Sequence, residues 1–162
     1  MSVGTVELIL ANEEATMDLG RRLAAILPAE GLVAFLHGDL GAGKTTFARA
    51  FLQALGVGER VKSPTYSLVE GYDIDERRAF HLDLYRIADP GELEWLGLDS
   101  LAEPGSIVLV EWPERGAGAL PPVDLALSFR HDGMGRAVRM EPRSPAGVRL
   151  VAALAPPPSS HG

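Results

Sequence analysis

No cysteine occurs among the 162 residues. Disulfides, thiolate metal sites and cysteine nucleophiles are excluded together, and the composition fits a reducing compartment. Lysine is almost as scarce, with Lys44 and Lys62 the only two. Positive charge is short overall: 15 Lys and Arg face 22 Asp and Glu, a formal net charge of −7 at pH 7. A free-standing nucleic-acid binder carries a basic patch that displaces counterions, so this balance argues against autonomous binding to RNA or DNA. Long apolar runs are missing as well. The run Leu32 to Leu36 falls far short of the roughly 20 residues that span a bilayer. Met1 to Ala11 lacks the basic start and apolar core of a signal peptide. The expectation is a cytoplasmic protein with no membrane contact. What is present, 46% hydrophobic and 23% charged residues, excludes wholesale disorder. The length suits one domain, expected over residues 1–155.

Val6 to Leu10 reads as a strand. Asn12 then stands as an N-cap before Glu13 and Glu14, acids placed at the positive end of a helix dipole. Ala15, Leu19, Leu23, Ile26 and Leu27 recur at helical spacing until Pro28 and Gly31 end the run. Leu32 to Leu36 is a continuous apolar strand of the kind buried in parallel sheets. After a glycine-rich loop comes a helix from about Lys44 to Leu55, closed by Gly56 and Gly58. Tyr66 to Glu70, Ala79 to Asp83 and Ile107 to Glu111 read as further strands. Asp89-Pro90 opens a short helix around Gly91 to Leu96. Leu125 to Phe129 pairs with Arg136 to Met140 across a turn at Asp132, Gly133 and Gly135. Ser144-Pro145 starts a last amphipathic helix through Leu150, Val151 and Leu154. The Pro/Ser-rich tail, 156–162, is expected to be disordered. The class is α/β: a mainly parallel central sheet flanked by helices, with an antiparallel C-terminal hairpin.

Gly38-Asp39-Leu40-Gly41-Ala42-Gly43-Lys44-Thr45 satisfies G-x-x-x-x-G-K-[ST], with an apolar strand before it and a helix after it, as a phosphate loop requires. Glycines let several backbone N–H groups converge into an anion nest, and the helix adds its positive end. In such a loop Lys44 reaches the β- and γ-phosphates and the Thr45 hydroxyl holds Mg²⁺. A P-loop NTPase fold follows. The site then needs further carboxylates. Asp83 and Glu111 each end a strand, and ligands of open α/β sheets sit beyond the carboxyl ends of the strands. One acid would serve Mg²⁺ and the other would orient the attacking water. Spacing does not say which, and either acid could simply end its strand in solvent. Ser63-Pro64-Thr65-Tyr66 lies where switch-type NTPases place a hydroxyl that closes on Mg²⁺ and the γ-phosphate, though the same string also suits a β-turn. His81 and His37 read as packed strand residues, and neither has the partners of a zinc site. Trp112 either shields the site or caps the sheet edge.

Four strings in order resemble the TsaE family of bacterial ATPases: the phosphate loop running on into Thr46, Ser63-Pro64-Thr65-Tyr66, His81-Leu82-Asp83-Leu84-Tyr85-Arg86, and Val110-Glu111-Trp112. The resemblance extends from about Thr5 to Leu154 and includes Asp89-Pro90 with Glu92-Leu93 and Gly135-Arg136. It implies an ATPase, weak alone, that binds ATP and Mg²⁺ and acts with the TsaD–TsaB pair. That pair makes the threonylcarbamoyl modification at A37 of tRNAs reading ANN codons, and the ATPase is expected to reset it between rounds. By this likeness Lys44 and Thr45 bind phosphate and Mg²⁺, Glu111 belongs to the Mg²⁺ shell, and Asp83 and Thr65 are needed for hydrolysis. Asp83 is also a candidate for the metal. Asp39, Leu40, Gly41, Ala42, Gly43 and Thr46 complete the nucleotide-binding loop. Asn12 and Arg136 match positions near the nucleotide outside it, and a guanidinium suits stacking on a base or forking onto phosphate. Two rivals stand beside this reading. A small-molecule kinase needs a lid and an acceptor pocket, for which only the Gly71 to Arg78 loop and the Glu114 to Pro122 segment are available. A nucleotide-gated binding module would hydrolyse ATP only incidentally.

Overall fold

The computed structural model describes residues 4–39, 41–57, 69–74, 77–85, 87, 101, 103–116 and 118–154. Strand β1 (Val6–Leu10) leads into helix α1 (Glu13–Ala25). Asn12 caps that helix: its backbone is extended and its side chain accepts the Ala15 N–H at 2.9 Å. Strand β2 (Leu32–His37) runs to the phosphate loop and helix α2 (Lys44–Leu52). A wider π turn, Gln53–Val57, finishes α2, with Gly56 at φ 108° where the sequence places a stop. Strands β3 (Val69–Ile74), β4 (Arg77–Asp83) and β5 (Ile107–Glu111) follow, and a 3₁₀ turn at Pro113–Gly116 comes after β5. The chain ends in the hairpin β6 (Leu125–Asp132) and β7 (Gly135–Pro142), then helix α3 (Pro145–Leu154).

All the described strands join one sheet in the order β1-β7-β6-β2-β5-β4-β3. Its centre, β6-β2-β5-β4, is parallel. The edges are antiparallel, through β6-β7-β1 on one side and β4-β3 on the other. The α/β class, the parallel centre and the C-terminal hairpin are as expected from the sequence. The hairpin β3–β4 is not. Gly71 to Arg78, expected as a loop, is mostly paired strand, and β3 extends to Ile74 instead of ending at Glu70. An edge strand needs to bury only one face. Tyr72 and Ile74 pack on the core while Gly71 and Asp73 face outward, a half-polar pattern that reads as loop. A lid for a kinase acceptor site loses its main material.

The two faces of the sheet carry separate cores. Ala34, Leu36, Ala79 and Leu109 pack with Leu19, Leu23, Phe47 and Phe51 of α1 and α2, while Val33, Phe35, Phe80, Leu82, Val108 and Val110 face the other way. All five residues of β5 are buried, as a strand covered on both sides demands. Among the described residues no helix is long and apolar enough to cross a membrane. The expected helix at Gly91 to Leu96 and the tail 156–162 lie outside the described residues, as do Thr65 and Leu40.

Candidate functional site

Between β2 and α2 the chain turns through Gly38 at φ 140°, Gly41 at φ 78° and Gly43 at φ 112°. Two of these need glycine for distinct reasons. A Cβ on Gly38 would stand 2.5 Å from the Phe129 carbonyl oxygen of β6, so the loop could not approach the sheet so closely. Gly43 has room for a methyl group, yet its left-handed backbone disfavours any side chain. It also occupies the N-cap of α2 and offers no side-chain acceptor there. The helix therefore begins with backbone donors directed outward, the arrangement that binds anions.

Lys44, the first residue of α2, points back into this loop and is only 4% exposed. Its Nζ donates to the Gly38 carbonyl at 2.5 Å and lies 3.8 Å from the centroid of the Trp112 ring. Burial lowers its pKa from the ordinary lysine value, against the opposing pull of Glu111, Asp83, Glu114 and Asp39. The next residue, Thr45, donates its hydroxyl to Glu111, at 3.0 Å from Oε1 and 3.3 Å from Oε2. Glu111 is 3% exposed. It stands level with Asp83 across the parallel β4–β5 pair, so both acids emerge at the carboxyl ends of adjacent strands. Asp83 accepts the Tyr85 N–H at 3.1 Å. Burial raises the Asp83 pKa; the Tyr85 N–H opposes that, and the charge of Glu111 adds to it.

Arg136 enters from β7, far away in sequence, and donates to the Gly41 carbonyl at 3.0 Å and to its neighbour Gly135 at 2.8 Å. These groups surround a cavity of about 420 Å³, the size of a small-ligand pocket. Of the residues predicted from sequence, Gly41, Gly43, Lys44, Thr45 and Thr46 line it, together with Asp83, Glu111, Arg136 and Asn12. Asp39 and Ala42 do not. Ala42 is packed into the core, its N–H bonded to the Asp39 carbonyl at 3.1 Å, and the exposed Asp39 side chain lies off the cavity wall.

Sequence reasoning missed several groups. Thr16 of α1 lines the cavity; its buried hydroxyl has no hydrogen-bond partner among the described residues. Met134, at the tip of the β6–β7 turn, lines it too and is 98% exposed. Nothing in the sequence singles out either residue. The two readings of Trp112 are decided: it follows β5 at the centre of the sheet, so there is no edge to cap, and its ring covers Lys44. It is also the only non-glycine among the described residues with positive φ, at 58°. His81 is buried as expected, but it is more than packing, since its Nε2 lies 2.6 Å from Glu111 Oε2. The available signal was strand alternation, which puts His81 on the same face as Asp83. His37 departs from expectation. It is half-exposed, and its Nδ1 lies 3.3 Å from Glu114 Oε2.

The donor set suits a nucleotide phosphate with a hard divalent cation. A helix N-terminus and an ammonium answer the anion, while a hydroxyl beside two carboxylates supplies the oxygen ligands that Mg²⁺ prefers. No cluster of three or more His, Cys, Asp or Glu that could hold a metal occurs among the described residues.

A family model described as "Threonylcarbamoyl adenosine biosynthesis protein TsaE" matches residues 10–138. The Haemophilus influenzae protein named "tRNA threonylcarbamoyladenosine biosynthesis protein TsaE" is 38% identical over 149 residues, covering 90% of this chain and 94% of that protein. Its Bacillus subtilis namesake is 37% identical over 122 residues, 75% of each chain. The crystal structure of YdiB from Bacillus subtilis superimposes with a TM-score of 0.74 at 28% identity and covers 95% of both chains.

Proposed function

The chain belongs to the TsaE family of threonylcarbamoyl adenosine biosynthesis proteins, and on that footing we propose that it is a cytoplasmic, Mg²⁺-dependent P-loop ATPase. It serves threonylcarbamoylation of A37 in tRNAs reading ANN codons. It binds TsaD- and TsaB-like partners and spends ATP to reset them between rounds. The observation that carries this reading is the hydrogen bond from Thr45 to Glu111 at the head of α2, beside the buried Lys44. The net charge of −7 supports a protein that meets tRNA only through its partners.

Bound ATP with Mg²⁺ supplies the transferable phosphoryl group and the cation that neutralises its charge. The chain supplies the rest, over a single ATPase domain within residues 1–155. Lys44 and the backbone donors of Gly41 and of Gly43 to Thr46 hold the phosphates. Thr45 and Glu111 offer oxygens to the cation, with Asp83 next to them. Burial makes Asp83 a better proton acceptor than an ordinary carboxylate, which suits it to orienting water for attack. Thr65, needed for hydrolysis by family likeness, stands in the sequence where switch-type NTPases close a hydroxyl on the γ-phosphate. Arg136 holds the loop crest through Gly41, and Asn12 stands at the cavity wall with its side chain engaged as the α1 cap.

ATP turnover of the purified chain, measured with and without the TsaD–TsaB pair, tests the proposal. Partners are expected to raise turnover, and Asp83→Ala is expected to remove it. Unchanged turnover with partners, together with a fully active Asp83→Ala, refutes the scheme.

A further inference from the structure

We propose that His81 is a positioning residue: it fixes the Glu111 carboxylate and, through it, the divalent cation. This rests on the nucleotide reading above. His81 does not line the cavity and lies behind Glu111 within β4. The two side chains are 1% and 3% exposed, with Nε2 and Oε2 2.6 Å apart. Each Glu111 oxygen has its own neighbour. Oε2 faces His81, and Oε1 is the closer oxygen to the Thr45 hydroxyl. The carboxylate is thus held at both ends, and its rotation about the last side-chain bond would break one contact or the other.

Hydrogen-bond accounting selects the tautomer. Nδ1 of His81 is buried without a partner among the described residues. A proton there would be an orphaned donor, whereas a bare lone pair costs less. With the proton on Nε2, the ring donates to Glu111 and leaves the carboxylate its negative charge for the cation. Stability does not explain the pair, because apolar residues in place of a buried polar pair are often neutral or better. Imidazole behind a ligating carboxylate is an outer-shell arrangement whose loss typically weakens metal binding by about 10–100-fold.

Calorimetry of ADP binding, with Mg²⁺ and again in EDTA, separates the cation from the nucleotide. In wild type, Mg²⁺ is expected to strengthen ADP binding. His81→Leu should cut that Mg²⁺-dependent gain by about tenfold or more while affinity in EDTA stays within about threefold. His81→Gln, whose amide can donate from a similar reach, should restore most of the gain. In a Glu111→Gln background, His81→Leu should cost nothing further. An undiminished gain in His81→Leu overturns the proposal, as does an additive loss in the double variant. Absence of any Mg²⁺ gain in wild type overturns it differently, by removing the nucleotide reading itself. Should His81→Leu fail to fold, ¹⁵N spectra of the wild-type imidazole decide: a proton on Nε2 is expected, and a proton on Nδ1 alone refutes the assignment.

Discussion

Trp112 offers a test in which the usual order of two substitutions reverses. Its φ of 58° is left-handed, and no other non-glycine described residue has positive φ. A side chain in that region costs about 1–2 kcal/mol. Trp112→Ala and Trp112→Gly lose the same ring, and so the same contacts with Lys44 and Tyr85. The Lys44 contact is worth about 0.5–2 kcal/mol, and both variants should be less stable than wild type. They differ in the backbone alone. Glycine removes the left-handed strain but loses about 0.4–1 kcal/mol through the greater freedom of its unfolded chain. The balance leaves Trp112→Gly more stable than Trp112→Ala by about 1 kcal/mol, where an ordinary exchange favours alanine by about 0.5–1 kcal/mol. Urea unfolding reads the difference directly. With a slope of about 2 kcal/mol/M, the glycine variant should unfold at a midpoint about 0.5 M higher. An alanine midpoint equal to or above the glycine one refutes the reasoning, because the backbone would then carry no strain. The indole that lies over Lys44 is missing from both variants, so their affinities for nucleotide should be alike.

Asp83→Asn should raise the thermal midpoint at neutral pH while removing ATP turnover. Burial lifts the Asp83 pKa above its ordinary 3.8, so the folded state binds the proton more tightly than the unfolded one. The resulting penalty is absent below the unfolded value, grows as pH rises toward the folded one, and is complete above it. The advantage of asparagine should therefore vanish in acid, and a lower midpoint than wild type at pH 7 contradicts this account. Titrated in EDTA, Lys44→Ala should weaken ATP binding by about 10–100-fold, the worth of a charge-assisted hydrogen bond, whereas Glu111→Ala and Thr65→Ala should leave that affinity nearly unchanged and reduce turnover with Mg²⁺; equal loss of affinity in all three argues against these roles. Gly147→Ala tests the fold remote from the site, because its Cβ would overlap the Asp124 carbonyl oxygen. A destabilisation of about 1–3 kcal/mol or more is expected by chemical denaturation, with ADP affinity retained in the folded protein.

The sequence by itself determined the phosphate loop, the cap at Asn12 and the run of apolar strands. The reason is locality. Gly38 to Thr45 is one continuous stretch between a strand and a helix, and its chemistry needs neighbours no farther away than the next turn. The parallel centre was legible from the same apolar runs, because a strand buried on both faces leaves no polar alternation. The β3–β4 hairpin was hidden by its edge position, where half the residues answer to solvent. Tertiary structure alone decided which acid meets Thr45. Asp83 and Glu111 are indistinguishable as strand-end carboxylates, and they stand level in the sheet; only the placement of α2 over β5 brings Thr45 against Glu111. It decided the use of His81 in the same way. A histidine in an apolar strand looks like packing until the next strand puts a carboxylate 2.6 Å from its ring. Arg136 reaches Gly41 across 95 residues of chain because the hairpin folds β7 back beside β6, which pairs with β2. Such contacts arise from strand order and register, and no window of neighbouring residues contains them.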